Sequence, residues 1–241
     1  MDDSDPLMPR ARPPAPTPQR PLVGVTVLVV EDSRFASEAM RLLCLRSGAR
    51  IRRADSLCSA RRHLQVYRPC AVIVDPGLPD GSGLDLLRDL TRAAPRIPVL
   101  LATSGDPLTE AAAIAAGADG FLAKPVASLA LFQEAILSRL PPDRRPAGPR
   151  QVPMDMIEPD PIAYVDDLAH AVEVLGEATD PKKMDYAVQF LSGVALSARD
   201  EALAEAVRNL GRSRATGAPF AEDAARMAGL LQARLMTRKA I

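Results

Sequence analysis

Aromatic residues are scarce in this chain: they make up 3% of 241 residues, and tryptophan is missing. That excludes an interface or RNA surface built on stacked rings. The cores must be filled by Leu, Val, Ile, Ala and Met. Cysteine is scarce as well. Cys44, Cys58 and Cys70 form an odd set without metal-ligand spacing, which points to free thiols in a reducing compartment. Neither sign of charge is in excess, with 30 Lys+Arg against 30 Asp+Glu, so nothing draws the whole chain to nucleic acid or an anionic membrane. No uncharged apolar run has the length of a membrane span. The opening MDDSDP is acidic and has no apolar stretch of the secretory kind, so the expected location is the cytoplasm.

What the chain does have is 47% hydrophobic residues, enough for real cores. Two proline-rich stretches divide it. Residues 1–22 read as a disordered or polyproline-like tail, and 142–160, within PPDRRPAGPRQVPMDMIEPDP, read as an extended linker. They leave a first domain over 23–141 and a second over 161–241.

The first domain alternates short β-branched runs with helical periodicity. The strand candidates are Val25 to Val30, Ala49 to Ala54, Ala71 to Val74, Val99 to Ala102 and Gly120 to Ala123. Helices are expected over Phe35 to Leu45, Ser56 to Tyr67 with Ser56 as N-cap, Ser82 to Ala93, Pro107 to Ala116 and Ser128 to Leu140. Five such repeats imply an α/β fold, a doubly wound parallel five-stranded sheet with helices on both faces. Functional groups in such sheets gather beyond the carboxyl ends of the strands.

Those ends carry the informative residues. Glu31 and Asp32 close the first strand, Asp75 the third, Thr103 and Ser104 the fourth, and Lys124 with Pro125 the fifth. Parallel strands bring three carboxylates, a hydroxyl and an ammonium to one rim. Such carboxylates repel one another and need a counter-charge. Mg²⁺ fits best, since it takes a few carboxylates and keeps waters that a phosphate oxygen can replace. With Lys124 as a second cation, the set suits phosphoryl transfer to a carboxylate nucleophile, which gives an acyl phosphate. Any single Asp here could equally be a helix cap or a turn residue. The joint pattern carries the argument.

At these residues the chain resembles the receiver domain of two-component response regulators, a CheY-like, flavodoxin-like fold. The matching stretches are VLVVEDS from Val27, VIVDPGLPDGSGLDLL from Val72, PVLLATSGD from Pro98 and GADGFLAKPV from Gly117. The resemblance implies that Asp75 is the phosphoacceptor. It implies that Glu31, Asp32, Asp75 and the backbone carbonyl of Gly77 hold Mg²⁺. Thr103 becomes the switch hydroxyl, Lys124 the phosphoryl-binding lysine, and the Lys124–Pro125 bond is expected to be cis. Phe121 holds the aromatic switch position, though a plain core Phe fits as well. The resemblance also implies a histidine kinase or phosphotransfer protein upstream. No enzymatic activity is expected beyond Mg²⁺-dependent self-phosphorylation and slow loss of phosphate. One departure stands next to the acceptor: Pro76 lacks an N–H, and the small Gly77 would leave the site open to water, so an altered phosphate lifetime is expected.

The second domain reads as a small all-α bundle. Ile162, Val165, Leu168, Val172 and Leu175 share a face that Gly176 ends. Asp180 and Pro181 then start a helix carrying Met184, Ala187, Val188, Leu191 and Val194. A third helix, Asp200 to Leu210, is closed by Gly211, and Phe220, Ala224, Met227, Leu230 and Leu231 mark a fourth. A protein-binding or dimerising module is the preferred reading, with a downstream protein partner. DNA binding is the alternative: arginines such as Arg208, Arg214 and Arg234 are present, but acidic residues intersperse them and GRSRATGAP is long for a helix-turn-helix. A phosphotransfer role for His170 is disfavoured, because Glu173 and Val174 stand where that family places a lysine and a small residue. The competing class for the whole chain is a pseudo-receiver scaffold that is never phosphorylated. Self-association is left open.

Overall fold

The computed structural model describes residues 15–148, 152–176 and 181–237. In chain order its elements are β1 (Thr26–Val30), α1 (Arg34–Ser47), β2 (Arg50–Ala54), α2 (Leu57–Val66) and β3 (Ala71–Val74), then a tight hairpin of β4 (Gly77–Leu78) and β5 (Gly81–Ser82). There follow α3 (Gly83–Arg92), β6 (Val99–Ser104), α4 (Thr109–Ala115), β7 (Gly120–Ala123) and α5 (Leu129–Leu137). The chain continues with α6 (Pro161–Gly176), α7 (Pro181–Ser197), α8 (Glu201–Thr216) and α9 (Ala221–Thr237).

The main sheet is parallel and five-stranded, in the order β2-β1-β3-β6-β7. The central runs TVLVV, AVIV and VLLATS are buried on both faces, which is why they read as unbroken apolar stretches. One face packs on α1 and α5 through Leu43, Phe132 and Ile136. The other packs on α2, α3 and α4 through Ala60, Leu87 and Ala113. β2 is an edge strand, and its RIRRA sequence leaves three arginines exposed at positions where pairing with another chain would otherwise threaten. Serines start the helices: Ser33, Ser56, Ser82 and Ser128 each accept an N–H of the first turn.

Four expectations need correction. Leu22, placed in the tail, is fully buried and donates its N–H to Ser47 O at 2.9 Å, so the packed unit begins before residue 23. The linker is no free spacer: Leu129 N donates to Asp155 O, Ile157 N donates to Ala127 O, and Ile157 is buried in the core of the α/β domain. Gly211 does not close the third helix. α8 runs to Thr216 and ends at Gly217, whose φ of 69° supplies the left-handed cap. The connection to α9 is therefore residues 217–220, short enough that loop length no longer argues against a helix-turn-helix. The predicted cap Asp180 and the first 14 residues lie outside the described residues.

Helices α6–α9 enclose their own core, built on Leu168, Leu191, Val194, Leu203, Val207, Leu210 and Leu231. This helical module sits against the α/β domain, with α6 and α7 packed on α1 and α7 reaching β4. Phe35 and Tyr164 meet edge to face at 5.9 Å across that boundary.

Candidate functional site

The ends of β1, β3 and β7 converge as the topology requires. Lys124 Nζ donates to Asp75 Oδ2 at 2.5 Å and lies 2.7 Å from Glu31 Oε2, with all three side chains buried. The contact with Glu31 is one of charge, because that oxygen meets no hydrogen-bond geometry. Oxygens of Glu31, Asp32 and Asp75 all lie within 4.8 Å of one another. Asp75 is fixed from behind by Gly77 N, which donates to Oδ1 at 2.7 Å. The Lys124–Pro125 bond is cis.

The electrostatics follow from burial. Desolvation, with Asp75 and Asp32 alongside, pushes the Glu31 carboxyl up to about 8 despite Lys124. Burial and Asp75 push Asp32 to about 7, against a hydrogen bond from Tyr186 that favours its charged form. Burial disfavours the Lys124 charge, but Asp75 and Glu31 outweigh it and hold the ammonium firmly protonated. Three carboxylates share one ammonium, so two negative charges are left without a partner when all ionise. A buried carboxylate oxygen without a hydrogen bond, in an all-oxygen donor set with surplus charge, fits a hard divalent cation.

The loop after Asp75 is built for close approach. A Cβ at Gly83 would overlap the Asp75 carbonyl oxygen, so only glycine can start α3 there. Asp80 accepts from Leu57 N and Cys58 N, both at 2.8 Å, and ties the hairpin to the start of α2. Pro76 is buried, and its carbonyl accepts from Gly83 N at 3.0 Å. Thr103 is not turned towards Asp75: its hydroxyl donates to Leu122 O at 2.9 Å. Phe121 is half-buried against the second receiver core.

The residues that sequence reasoning missed come from the helical module. Asp167, buried, accepts from Ser33 Oγ at 2.7 Å, Arg34 N at 2.8 Å and Phe35 N at 3.0 Å. It thereby satisfies the otherwise orphaned first turn of α1. Tyr186 donates its hydroxyl to Asp32 Oδ2 at 2.7 Å. Gln189 stands beside Gly77: a Cβ on Gly77 would lie 2.6 Å from Gln189 Cδ. The one signal in the sequence was the adjacent pair Asp166 and Asp167 beside the apolar face of Ile162, Val165, Leu168, Val172 and Leu175. A cleft of about 770 Å³ remains between α7, α8 and the strand ends, lined by Asp75, Lys124, Gln189 and Arg208 among others.

Elsewhere, Cys44, Cys58 and Cys70 are free, and burial pushes the Cys44 thiol up to about 12. His170 is exposed, edge-on to Phe190 at 5.5 Å and 4.0 Å from Glu173. Among the described residues no helix is long and apolar enough to cross a membrane.

Residues 27–136 match the family model described as the response regulator receiver domain. The chain is 33% identical over 135 residues to response regulator MprA of Mycobacterium sp. (strain KMS), covering 55% of this chain and 59% of that protein. It is 32% identical over 99 residues to the KDP operon transcriptional regulatory protein KdpE of Escherichia coli, covering 41% and 44%. It thus spans less than two thirds of the length of either relative. Among solved structures, NtrX from Brucella abortus is 28% identical over 47% of this chain and 27% of its own, with a TM-score of 0.43.

Proposed function

Because residues 27–136 are a response regulator receiver domain, we propose that Asp75 accepts a phosphoryl group and that the helical module reports the change. The carrying observation is the buried cluster in which Lys124 bridges Asp75 and Glu31 at 2.5 and 2.7 Å. An Asp75 carboxylate oxygen attacks phosphorus, and the donor's nitrogen leaves with the bonding pair. Lys124 stays with the phosphoryl oxygens and neutralises their charge. Glu31, Asp32, Asp75 and the Gly77 carbonyl would hold Mg²⁺, which supplies charge neutralisation at the transferring group. The donor would be a histidine kinase or phosphotransfer protein.

The covering module gives this reading its output. A cleft of about 770 Å³ admits a phosphoryl group and waters but not a donor protein. Transfer therefore goes with withdrawal of α7 from the strand ends, and the faces of α6 and α7 then exposed are what a downstream protein binds. DNA binding is the second reading, since residues 217–220 form a short turn between α8 and α9. Against it, Arg214 pairs with Asp185 at 2.6 Å and Arg234 is taken up by Asp200. A duplex-binding assay at stated salt separates the two.

The direct test is incubation with acetyl phosphate and Mg²⁺, followed by intact mass. Wild type gains one phosphoryl group and Asp75→Asn gains none. Equal incorporation in both would remove Asp75 from the role, and no incorporation in either would favour the pseudo-receiver.

A further inference from the structure

One face of α7 lies along the strand ends. Tyr186, Gln189, Gly193 and Leu196 recur at helical spacing, and each meets a different part of the rim. Tyr186 reaches Asp32 at 2.7 Å, and Gln189 rests beside Gly77. A Cβ at Gly193 would stand 3.7 Å from Lys124 Nζ, and Leu196 covers Gly105. Glycine at 193 lets the helix come down over the lysine without filling the space above it. A helix merely shielding the site would put apolar side chains at its centre. Here the central position carries an amide.

We propose that Gln189 is a catalytic residue for loss of the phosphoryl group from Asp75, orienting the attacking water so that the helical module resets its own receiver. The inference rests on the reading of Asp75 as phosphoacceptor. Three observations carry it. Gln189 abuts Gly77, whose N–H is itself bonded to Asp75 Oδ1 at 2.7 Å, so a single residue links the amide to the acceptor carboxylate. Among the described residues the Gln189 amide makes no hydrogen bond, so its donor and acceptor are both free for a ligand. And Gln189 lines the same cleft as Asp75 and Lys124, whose volume of about 770 Å³ has room for a phosphoryl group and several waters.

A glutamine suits the task. Its Oε1 accepts a hydrogen bond from water, and its Nε2 donates to a phosphoryl oxygen. It adds no charge to a site that already carries surplus carboxylates. Phosphoryl transfer to water depends on such positioning, and GTPases use a glutamine in this way. In the step, the water oxygen bonds to phosphorus and the bond from phosphorus to the Asp75 oxygen breaks. The carboxylate leaves with the electron pair. Both water protons depart on the phosphate, which leaves as dihydrogen phosphate and yields one proton to solvent according to pH.

The test uses the full chain. Wild type, Gln189→Met and Gln189→Ala are loaded with acetyl phosphate and Mg²⁺, the donor is removed, and the phosphorylated fraction is followed by intact mass. Met keeps the length of the side chain over Gly77 and removes the amide. Once loaded, both variants should keep the phosphoryl group roughly tenfold longer than wild type, the equivalent of one hydrogen bond lost from the transition state. An unchanged half-life in Gln189→Met overturns the proposal. A shorter one in Gln189→Ala also overturns it, making the residue a shield. If wild type takes up no phosphate, the reading of Asp75 falls first and this one with it.

Discussion

In the receiver sheet, Glu31 and Asp32 lie beside a third carboxylate with one ammonium among them; in the helical module, Asp200 meets a guanidinium, a phenol and a backbone N–H. Arg234 Nη2 donates to Asp200 Oδ1 at 2.7 Å, Tyr164 to Oδ2 at 2.7 Å, and Leu203 N to Oδ1 at 3.1 Å. The outcomes are opposite. The Asp200 carboxyl is held down at about 2: burial alone would raise it, and Arg234 and Tyr164 overcome that. Glu31 and Asp32 are pushed up to about 8 and 7. The module's charges are matched and therefore structural. The receiver's are under-compensated, which is the condition that the proposed Mg²⁺ and phosphoryl group would relieve.

Asp167 is where the comparison is most exposed to test, because a carboxylate of the module is satisfied wholly by donors of the receiver. Asp167→Ala strips three hydrogen bonds from the start of α1 and removes a fixed negative charge from a helix N-terminus. A loss of about 3 kcal/mol from the docking of the two parts is expected. Limited proteolysis within 152–160 and solution scattering should both show release of the module. Unchanged protection would mean that packing around Phe35 and Tyr164 alone holds the parts together.

Asp200→Ala tests the matched side of the comparison. It removes the carboxylate that Arg234 and Tyr164 share and leaves α8 uncapped, and should destabilise the module by about 2 kcal/mol at neutral pH in urea. Because the folded carboxyl is lowered, its contribution is present above about pH 4 and lost as pH falls through about 2. The receiver transition should not move.

Glu31→Gln tests the unmatched side, with the opposite sign. A carboxyl raised to about 8 in the folded state holds its proton where the unfolded chain has lost it. Metal-free wild type therefore loses stability as pH rises from the ordinary carboxylate range through about 8. Glu31→Gln should flatten that slope and stabilise the metal-free receiver at pH 8 by roughly 2 kcal/mol. Mg²⁺ should stabilise wild type more at pH 8 than at pH 6, since at the lower pH it must displace protons. A stability curve that rises with pH between 5 and 8 would contradict this account of the cluster.

The same contrast explains what could be read in advance. Strand ends were legible because an unbroken apolar run such as AVIV stops at a single polar residue, Asp75, and parallel topology then brings the ends together. The Ser56 cap was legible because capping is local. The face of α7 over the site was not. Periodicity picks out Ala187, Leu191 and Val194, which fill the module's core, and says nothing about what the opposite face meets. The buried role of Ile157 and the Thr103 hydroxyl's bond to Leu122 depend on distant backbone for the same reason. Gly211 misled because a glycine can stand inside a helix without ending it: α8 continues to Thr216, and a Cβ at 211 would make ordinary contact with Val188 on α7 at 3.4 Å.

The smallest expected effect belongs to Tyr186, which joins the two kinds of charge handling. Its hydroxyl is the module's one hydrogen bond, among the described residues, to the acidic cluster itself, donated to Asp32 Oδ2 at 2.7 Å. Burial and the neighbouring Asp32 and Asp75 carboxylates raise the phenol, so it stays a donor throughout the pH range in which the receiver is folded. Tyr186→Phe keeps the ring against Phe190, whose centroid lies 6.0 Å away, and deletes only the donor. About 1 kcal/mol of docking should be lost, a roughly fivefold rise in the open fraction. Hydrogen exchange at the start of α1 reads that fraction directly, since Arg34 N and Phe35 N are protected by Asp167 only while the module is seated. If exchange there is unchanged while Asp32 becomes easier to protonate, the hydroxyl serves the receiver's cluster and not the seat. The division between matched and unmatched charge would then run through Tyr186 rather than between the two parts.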